Sequence, residues 1–555
     1  MKREKIICWR FSALTFALAS FFLCSLLFAQ DQIAEHQAGA SRGATVLDSM
    51  PRARRIGLVA LSPDGSQVAY VVKGELSVIP VSGGPPRIIA VEDKLALRDV
   101  AWSPDSKRIA FIADLPGDIP AAQVWIAGVG GGSATKHADL KGYAESPRFS
   151  PDGSKLALLF IEGIPRIAGP LQPMTPLAGV IDEKVYEQRI ALLDLQTDRL
   201  TQVTPVDMYV YEYDWTPDGR GWAATAAHGA GDANWYIARL YRASADSGEM
   251  HEIYKPKLQI AEPRVSLDGK NIAFIEGLMS DEGSTGGDIY VVPSNGGAAR
   301  NVTPNIKSSP SALAWTGPSR ITFAQNLDGN SSFGSVNLDG GAPKTLWKGE
   351  EAAFPSGDTW ISNGSSNGDP LTTAIVRQSA NTPPEVWAGP IGNWKQLTSL
   401  NAEIKPAWGE MRDVHWNNGS MRVQGWLMLP KDFDPGKTYP LVVTVHGGPS
   451  AACASRWDER GMGALSALGY FSLCPNPRGS YGQGEAFTRG NVKDFGGGDY
   501  RDIMAGVDAL TKQYPIDKKR LGIRGHSYGG YMTMWAETQP ADSQLRLPAP
   551  GFPTG

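Results

Sequence analysis

One turn, written five times over, constrains this chain more than any other feature. LSPDGSQVAYVV from Leu61, WSPDSKRIAFIA from Trp102, FSPDGSKLALLF from Phe149, WTPDGRGWAATA from Trp215 and VSLDGKNIAFIE from Val265 share one plan, and WTGPSRITFAQN from Trp315 is a degenerate copy. In each, an aromatic or apolar residue enters a Ser/Thr-Pro-Asp-Gly turn and an alternating apolar strand leaves it. Proline presets φ at the second turn position, while Asp and Gly tolerate the reversal, so each unit is a hairpin by mechanism. Successive turns, counted from Ser62, Ser103, Ser150, Thr216, Ser266 and Thr316, lie 41, 47, 66, 50 and 50 residues apart. That is the length of a four-stranded propeller blade with loop insertions. The spacing predicts an N-terminal all-β propeller over residues 45–400, seven-bladed with one blade whose turn has diverged; six or eight blades are the alternatives. The longest interval opens with the Pro-rich IEGIPRIAGPLQPMTPLAG, an expected excursion from the blade face. A propeller specifies a scaffold and no chemistry.

The pattern changes near LTSLNAEIKPAWGEM. From there strand-like and helix-like segments alternate, which predicts an α/β domain over 405–555. GWLMLP (Gly425 to Pro430), YPLVVTVHGGP (Tyr439 to Pro449) and LGYFSLCPNPRGS (Leu468 to Ser480) read as strands, the second of them continuously apolar and so buried. Ile503, Val507 and Leu510 recur at helical spacing, giving an amphipathic helix that covers the sheet. RLGIRG reads as the next strand and GGYMTMWAET begins the next helix.

A chain of 555 residues is too long for one ordinary core and is expected to form two or more domains. Lys plus Arg (53) nearly balances Asp plus Glu (57), for a net charge of −4 with no long block of either sign. Nothing in that balance suggests a nucleic-acid partner or a polybasic membrane anchor, so the substrate is expected to be selected by pockets rather than bulk charge. Residues 1–29 stand apart: Lys2, Arg3, Lys5 and Arg10 precede the uncharged FSALTFALASFFLCSLLFA. This is the pattern of a signal peptide and predicts a secreted or periplasmic protein, with no membrane contact after cleavage. The alternative is an uncleaved N-terminal membrane anchor, since the run is nearly long enough to span a bilayer. A lipoprotein site at Cys24 is disfavoured by the bulky residues before it. Cys8 and Cys24 leave with the signal. Cys453 and Cys474 remain, and they read as buried thiols in preference to a disulfide.

The chemistry lies near the end of the chain. Gly525-His526-Ser527-Tyr528-Gly529 fits G-x-S-x-G on a strand-to-helix turn, the context that makes the motif a nucleophile elbow. Acyl transfer also needs donors aimed at the oxyanion. His446-Gly447-Gly448-Pro449 ends a buried strand, so the backbone N–H groups of Gly447 and Tyr528 are the candidate oxyanion hole. His446 reads as a structural residue rather than a triad base, because it precedes the nucleophile. His526 is an elbow neighbour whose side chain is expected to point away from the serine's.

A repeated SPDG propeller followed by HGGP, NPRGSYGQG (Asn476 to Gly484) and GHSYGGYMT resembles the prolyl oligopeptidase family of serine peptidases, and within it the acylaminoacyl and dipeptidyl peptidase branch. The likeness runs from about residue 50 to Gln539. It implies a propeller capping an α/β-hydrolase domain, with short peptides cut between them. It also implies Ser527 as nucleophile, Tyr528 and Gly447 as oxyanion hole, and neither a metal nor an organic cofactor. Members of the dipeptidyl type hold the substrate amine with propeller carboxylates. DEKVYEQR offers Glu183 and Glu187 for that role, although a solvated charged loop is the favoured reading.

The family pattern continues past the elbow helix to deliver the triad Asp and His. Here WAETQ matches and PADSQLRLPAPGFPTG does not; no histidine follows Ser527, and prolines and glycines crowd the last residues. The expectation is a hydrolase domain incomplete at its C-terminus, read in another frame or from an incomplete gene, and a chain inactive as written. Two competing readings are a propeller module that binds peptides or proteins without catalysis, and a carboxylesterase.

Overall fold

The computed structural model describes residues 42–89, 95–117, 119–131, 133–164, 186–229, 232–357, 359–362 and 371–539. The signal segment, the Pro-rich excursion, Glu183 and the unmatched tail lie outside them. Among the described residues no helix is long and apolar enough to cross a membrane.

Seven four-stranded antiparallel sheets form a propeller: Ile56–Ile88, Ala96–Leu140, Gly142–Gln202, Met208–Tyr254, Gln259–Asn301, Ser309–Gly349 and Ala352–Gln396, blades 1 to 7. The repeated turn explains its own consensus. In its five clear copies the Ser/Thr hydroxyl is buried and donates to the Asp two residues on, at 2.5 to 2.7 Å. The same oxygen accepts the backbone N–H five residues on, at 2.9 to 3.1 Å. A buried hydroxyl is thus satisfied on both sides, and the Ser150 hydroxyl helps hold the Asp152 carboxyl down at about 2. In the degenerate copy, where no Asp is available, the Thr316 hydroxyl meets that of Thr322 at 2.8 Å instead.

Blade 7 is the one whose turn does not show in the sequence. Ser362 plays the repeated serine's part: its N–H reaches Thr372 O at 2.8 Å and its hydroxyl accepts Thr372 N–H at 3.1 Å. Ten residues separate the pair where the other copies have five, and that insertion erases the motif.

The aromatic residue entering the turn joins blades. Trp102, Trp215 and Trp315 donate their indole N–H to Ala60 O, Arg148 O and Arg264 O, each on the first strand of the preceding blade. Each blade is one contiguous piece of chain, so no shared strand closes the ring. Side-chain packing and one backbone bond close it: Val59, Leu61 and Tyr70 of blade 1 pack on Ala374, Val386 and Ala388 of blade 7, and Leu61 N–H donates to Thr359 O at 2.7 Å.

The second domain is a mixed sheet. Its strands, in chain order, are β1 (Met411–Asn418), β2 (Met421–Met428), β3 (Tyr439–Val445), β4 (Phe471–Asn476) and β5 (Ile516–Gly525), arranged β1-β2-β4-β3-β5. β3 runs parallel to β4 and β5. Helices α1 (Met462–Ala467), α2 (Glu485–Thr488), α3 (Gly498–Gln513) and α4 (Tyr528–Thr538) accompany it. The apolar face anticipated from Ile503, Val507 and Leu510 packs on Val414, Leu441 and Ile523. Met50 joins Trp408, Trp426 and Trp457 in a second cluster, so the segment leading into blade 1 packs on this domain.

One expectation is corrected here. Cys453 and Cys474 form a disulfide rather than standing as separate thiols. Asn476 Oδ1 accepts Cys453 N–H at 2.7 Å, which draws the loop after β3 against β4 and brings the two Cα atoms to 6.1 Å, a separation that a disulfide spans.

Candidate active site

Ser527 stands between β5 and α4 with φ 55° and ψ −121°, a conformation L-residues adopt at a cost and keep where the surroundings fix it. The two elbow glycines are what permit it. A Cβ on Gly525 would lie 2.4 Å from the carbonyl carbon of Gly529, and one on Gly529 would lie 2.1 Å from Val445 O. The turn is therefore pressed against the end of β3, and the serine side is left exposed.

The end of β3 is also where Gly447 sits. A Cβ built on Gly447 would be 3.5 Å from Ser527 Cβ, so the HGGP backbone faces the serine across van der Waals distance. Tyr528 is the first residue of α4, and first-turn N–H groups have no acceptor inside their own helix. Both proposed donors thus flank Ser527. The tyrosine ring is held from behind: its hydroxyl donates to Asp499 Oδ2 at 2.5 Å. Burial raises both pKa values, the phenol's and the carboxyl's. Asp499 escapes a motif search because it is an ordinary acidic residue in a helical first turn.

His446 occupies a structural place. Its Nδ1–H donates to Gly447 O at 2.7 Å and its Nε2 accepts from the Ser480 hydroxyl at 2.9 Å. Burial lowers its pKa and keeps the ring neutral. The NPRGSYGQG stretch resolves into separate tasks. Asn476 donates to Gln424 and Cys453 O. Arg478 pairs with Asp502 through Nε and a terminal nitrogen, both at 2.8 Å. Tyr481 and Gly482 reach the propeller, the tyrosine donating to Ser284 O at 2.7 Å and Gly482 N–H to the Ser309 hydroxyl.

Glu187 is half-buried just before the blade 3 strand Arg189–Asp194, and Glu183 lies outside the described residues. Other carboxylates lie along the propeller axis. Asp99, Ser146, Glu262 and Arg264 line a cavity of ≈ 390 Å³ that also touches blades 1, 6 and 7; residues from so many first strands meet only around the ring's axis. Sequence pattern does not reveal Asp99, Ser146 and Glu262, since each sits at an irregularity of its strand with φ near 50–60°.

A further carboxylate lies where the domains meet. Glu485 of α2 accepts Leu278 N–H of blade 5 at 3.1 Å. Burial pushes its pKa up to about 7, Asp288 and Glu276 add to the shift, and Arg489 opposes it. A carboxyl whose folded pKa exceeds its unfolded one loses stability as it ionises. The folded state is thus expected to lose stability as pH rises from about 4.5 to about 7. Melting temperatures of Glu485→Gln and parent should coincide at the acid end of that window and diverge above it, the variant higher; parallel curves would refute this.

With this geometry in place, comparison with known proteins is informative. Residues 459–543 match the prolyl oligopeptidase family. Over that stretch, which holds Ser527, the chain is similar to that family. An uncharacterized peptidase, YuxL, of Bacillus subtilis (strain 168) is 28% identical over 79% of this chain and 70% of its own length. Dipeptidyl-peptidase 5 of Porphyromonas gingivalis is 25% identical over 59% of this chain, and the match takes in 48% of that relative. The chain therefore corresponds to about half of the dipeptidyl-peptidase. Among solved structures, Pyrococcus horikoshii acylaminoacyl peptidase matches with a TM-score of 0.68 at 20% identity, covering 89% of this chain and 77% of that one. This last likeness shows the fold: a seven-bladed propeller followed by a hydrolase domain, as the turn spacing anticipates.

Proposed function

We propose that this chain belongs to the prolyl oligopeptidase family and carries the acyl-transfer site of a serine peptidase of the dipeptidyl or acylaminoacyl type. Ser527 attacks the carbonyl of a short peptide, and the N–H groups of Gly447 and Tyr528 receive the oxyanion. The observation that carries this reading is the strained elbow: Ser527 is held at φ 55° with Gly447 at contact distance. Short peptides are favoured over simple esters because blade 5 touches the loop that bears Gly447, so substrate must fit between the domains. Serine chemistry of this kind draws on no metal or organic cofactor. The Cys453–Cys474 disulfide supports export to an oxidising compartment.

We infer that the base for Ser527 is not among these 555 residues. No histidine follows Ser527 in the sequence, His446 has both ring nitrogens engaged, and the fold's order places the triad histidine after the nucleophile. Loss of triad members costs on the order of 10⁴ to 10⁶ in rate. The 555-residue polypeptide is therefore expected to hydrolyse an aminoacyl or dipeptidyl p-nitrophenyl ester very slowly, and faster in added imidazole, which substitutes for the missing base. The increment must vanish in Ser527→Ala, which also corrects for hydrolysis by imidazole itself. Equal rates for parent and Ser527→Ala at every imidazole concentration would refute the assignment.

A further inference from the structure

The propeller does more at this site than restrict entry. Between the second and third strands of blade 5, Asn271–Gly277 and Asp288–Pro293, the chain leaves the blade as LMSDEGSTGG. The neck of this loop is pinched. A Cβ on Gly277 would come 2.3 Å from Gly286 O, and one on Gly286 would come 2.5 Å from the Tyr481 ring. The base is buried through Met279, whose N–H donates to Gln259 at 3.1 Å. A turn bond from Ser284 N to Asp281 O at 3.0 Å closes the tip. Such a loop is a stiff projection, and its tip grips one residue of the hydrolase by both of its backbone groups.

That residue is Ser450, which follows Pro449 and lies three positions after Gly447. Ser450 N–H donates to the Ser280 hydroxyl at 2.7 Å, and Ser450 O accepts from the Ser284 hydroxyl at 2.6 Å. Both backbone groups of one peptide position are thus taken by side chains from another domain. The brace is itself supported on either side. The Tyr236 hydroxyl of blade 4 donates to Ser280 O at 2.6 Å. Tyr481 ties Ser284 O to Ala451 O through its hydroxyl and its N–H. Gly448, between brace and donor, is at φ 117°, a backbone that has little support of its own.

We propose that Ser280 and Ser284 are positioning residues for the oxyanion hole: the blade 5 loop fixes the Gly447 N–H through Ser450, so the hole is complete only when the propeller is seated. This rests on the acyl-transfer reading above, and the serines touch no reacting atom. A mere contact between domains needs only buried area. Gripping both the N–H and the C=O of Ser450 fixes the orientation of the strand of chain that ends in Gly447, as pre-organised donors require.

The test uses the full chain with Ser280→Ala/Ser284→Ala and, as conservative control, Ser280→Thr/Ser284→Thr. Amide exchange at residues 447–452 is expected to rise about tenfold in the alanine pair, as for loss of a hydrogen bond or two, and to return toward parent in the threonine pair. Exchange in the two flanking strands should not move. The Ser527-dependent increment in imidazole should fall in kcat with KM unchanged. Unchanged exchange at 447–452, or faster exchange spread through blade 5, overturns the proposal. Absence of any Ser527-dependent hydrolysis in the parent overturns the peptidase reading instead, while the exchange result still decides whether the brace exists.

Discussion

Replacing Gly529 by alanine is expected to cost about 3 kcal/mol or more, whereas alanine at the adjacent Gly530 should be neutral or slightly stabilising. The contrast follows from where the two Cβ atoms fall. At Gly529 it lands 2.1 Å from Val445 O and 3.1 Å from His446 O, both backbone atoms. Neither can swing aside as a side chain does, so either β3 or the elbow must move by roughly an ångström. At Gly530 the nearest atom is Gly525 O at 3.7 Å, ordinary contact, and alanine suits a helix better than glycine by about 0.5–1 kcal/mol. A shift of the elbow also separates Ser527 from Gly447, and misplacement on that scale costs about a hundredfold in rate. Urea unfolding of the two variants, with the Ser527-dependent rate in imidazole, checks this. Equal stabilities for the two would mean that β3 and the elbow are not packed as described.

The same residue pair shows why the elbow was legible from sequence. G-x-S-x-G is a statement about backbone clearance, and clearance at Gly525 and Gly529 is set by the crossing of β3 and α4, which every copy of this architecture shares. The propeller was legible for a similar reason: a buried Ser or Thr hydroxyl needs an Asp and an N–H at fixed offsets, so the turn repeats wherever a blade does. Blade 7 escaped because the offset from Ser362 to Thr372 is ten residues, and a pattern of fixed spacing cannot register a hydrogen bond made across an insertion.

Other features were hidden because they depend on pairs far apart in the chain. Asp499 supports Tyr528 across 29 residues, and Ser280 meets Ser450 across 170. Each partner alone is a common surface-type residue. The disulfide was misjudged on similar grounds, since only the fold of the loop after β3 onto β4 shows that Cys453 and Cys474 face one another. A charged stretch such as that around Glu187 draws attention in sequence, whereas Asp99 and Glu262, which line the cavity at the propeller axis, stand singly in their strands.

Arg478 gives the second large effect. Asp502 in α3 is fully buried, and its two oxygens accept Arg478 Nε and a terminal nitrogen at 2.8 Å, Arg478 N–H at 3.0 Å and Asn418 Nδ2 at 2.8 Å. The pairing with Asp502 raises the guanidinium pKa, so the arginine stays charged. Removing one partner of a buried ion pair leaves a desolvated charge behind and costs about 3–5 kcal/mol. Arg478→Met is therefore expected to destabilise the hydrolase domain by that amount and to leave the propeller's own stability unchanged, because the pair ties α3 to β4 and touches no blade. Urea-dependent hydrogen exchange, read separately on β1 to β5 and on the blades, resolves the two. The double variant Arg478→Met/Asp502→Leu removes the stranded carboxylate and should recover part of the loss. If the double variant is no more stable than the single, the cost lies in lost packing around Arg478 and not in an unpaired charge. A loss shared equally by blades and hydrolase sheet would mean instead that the two domains unfold as one unit, with the blade 5 brace among the contacts that couple them.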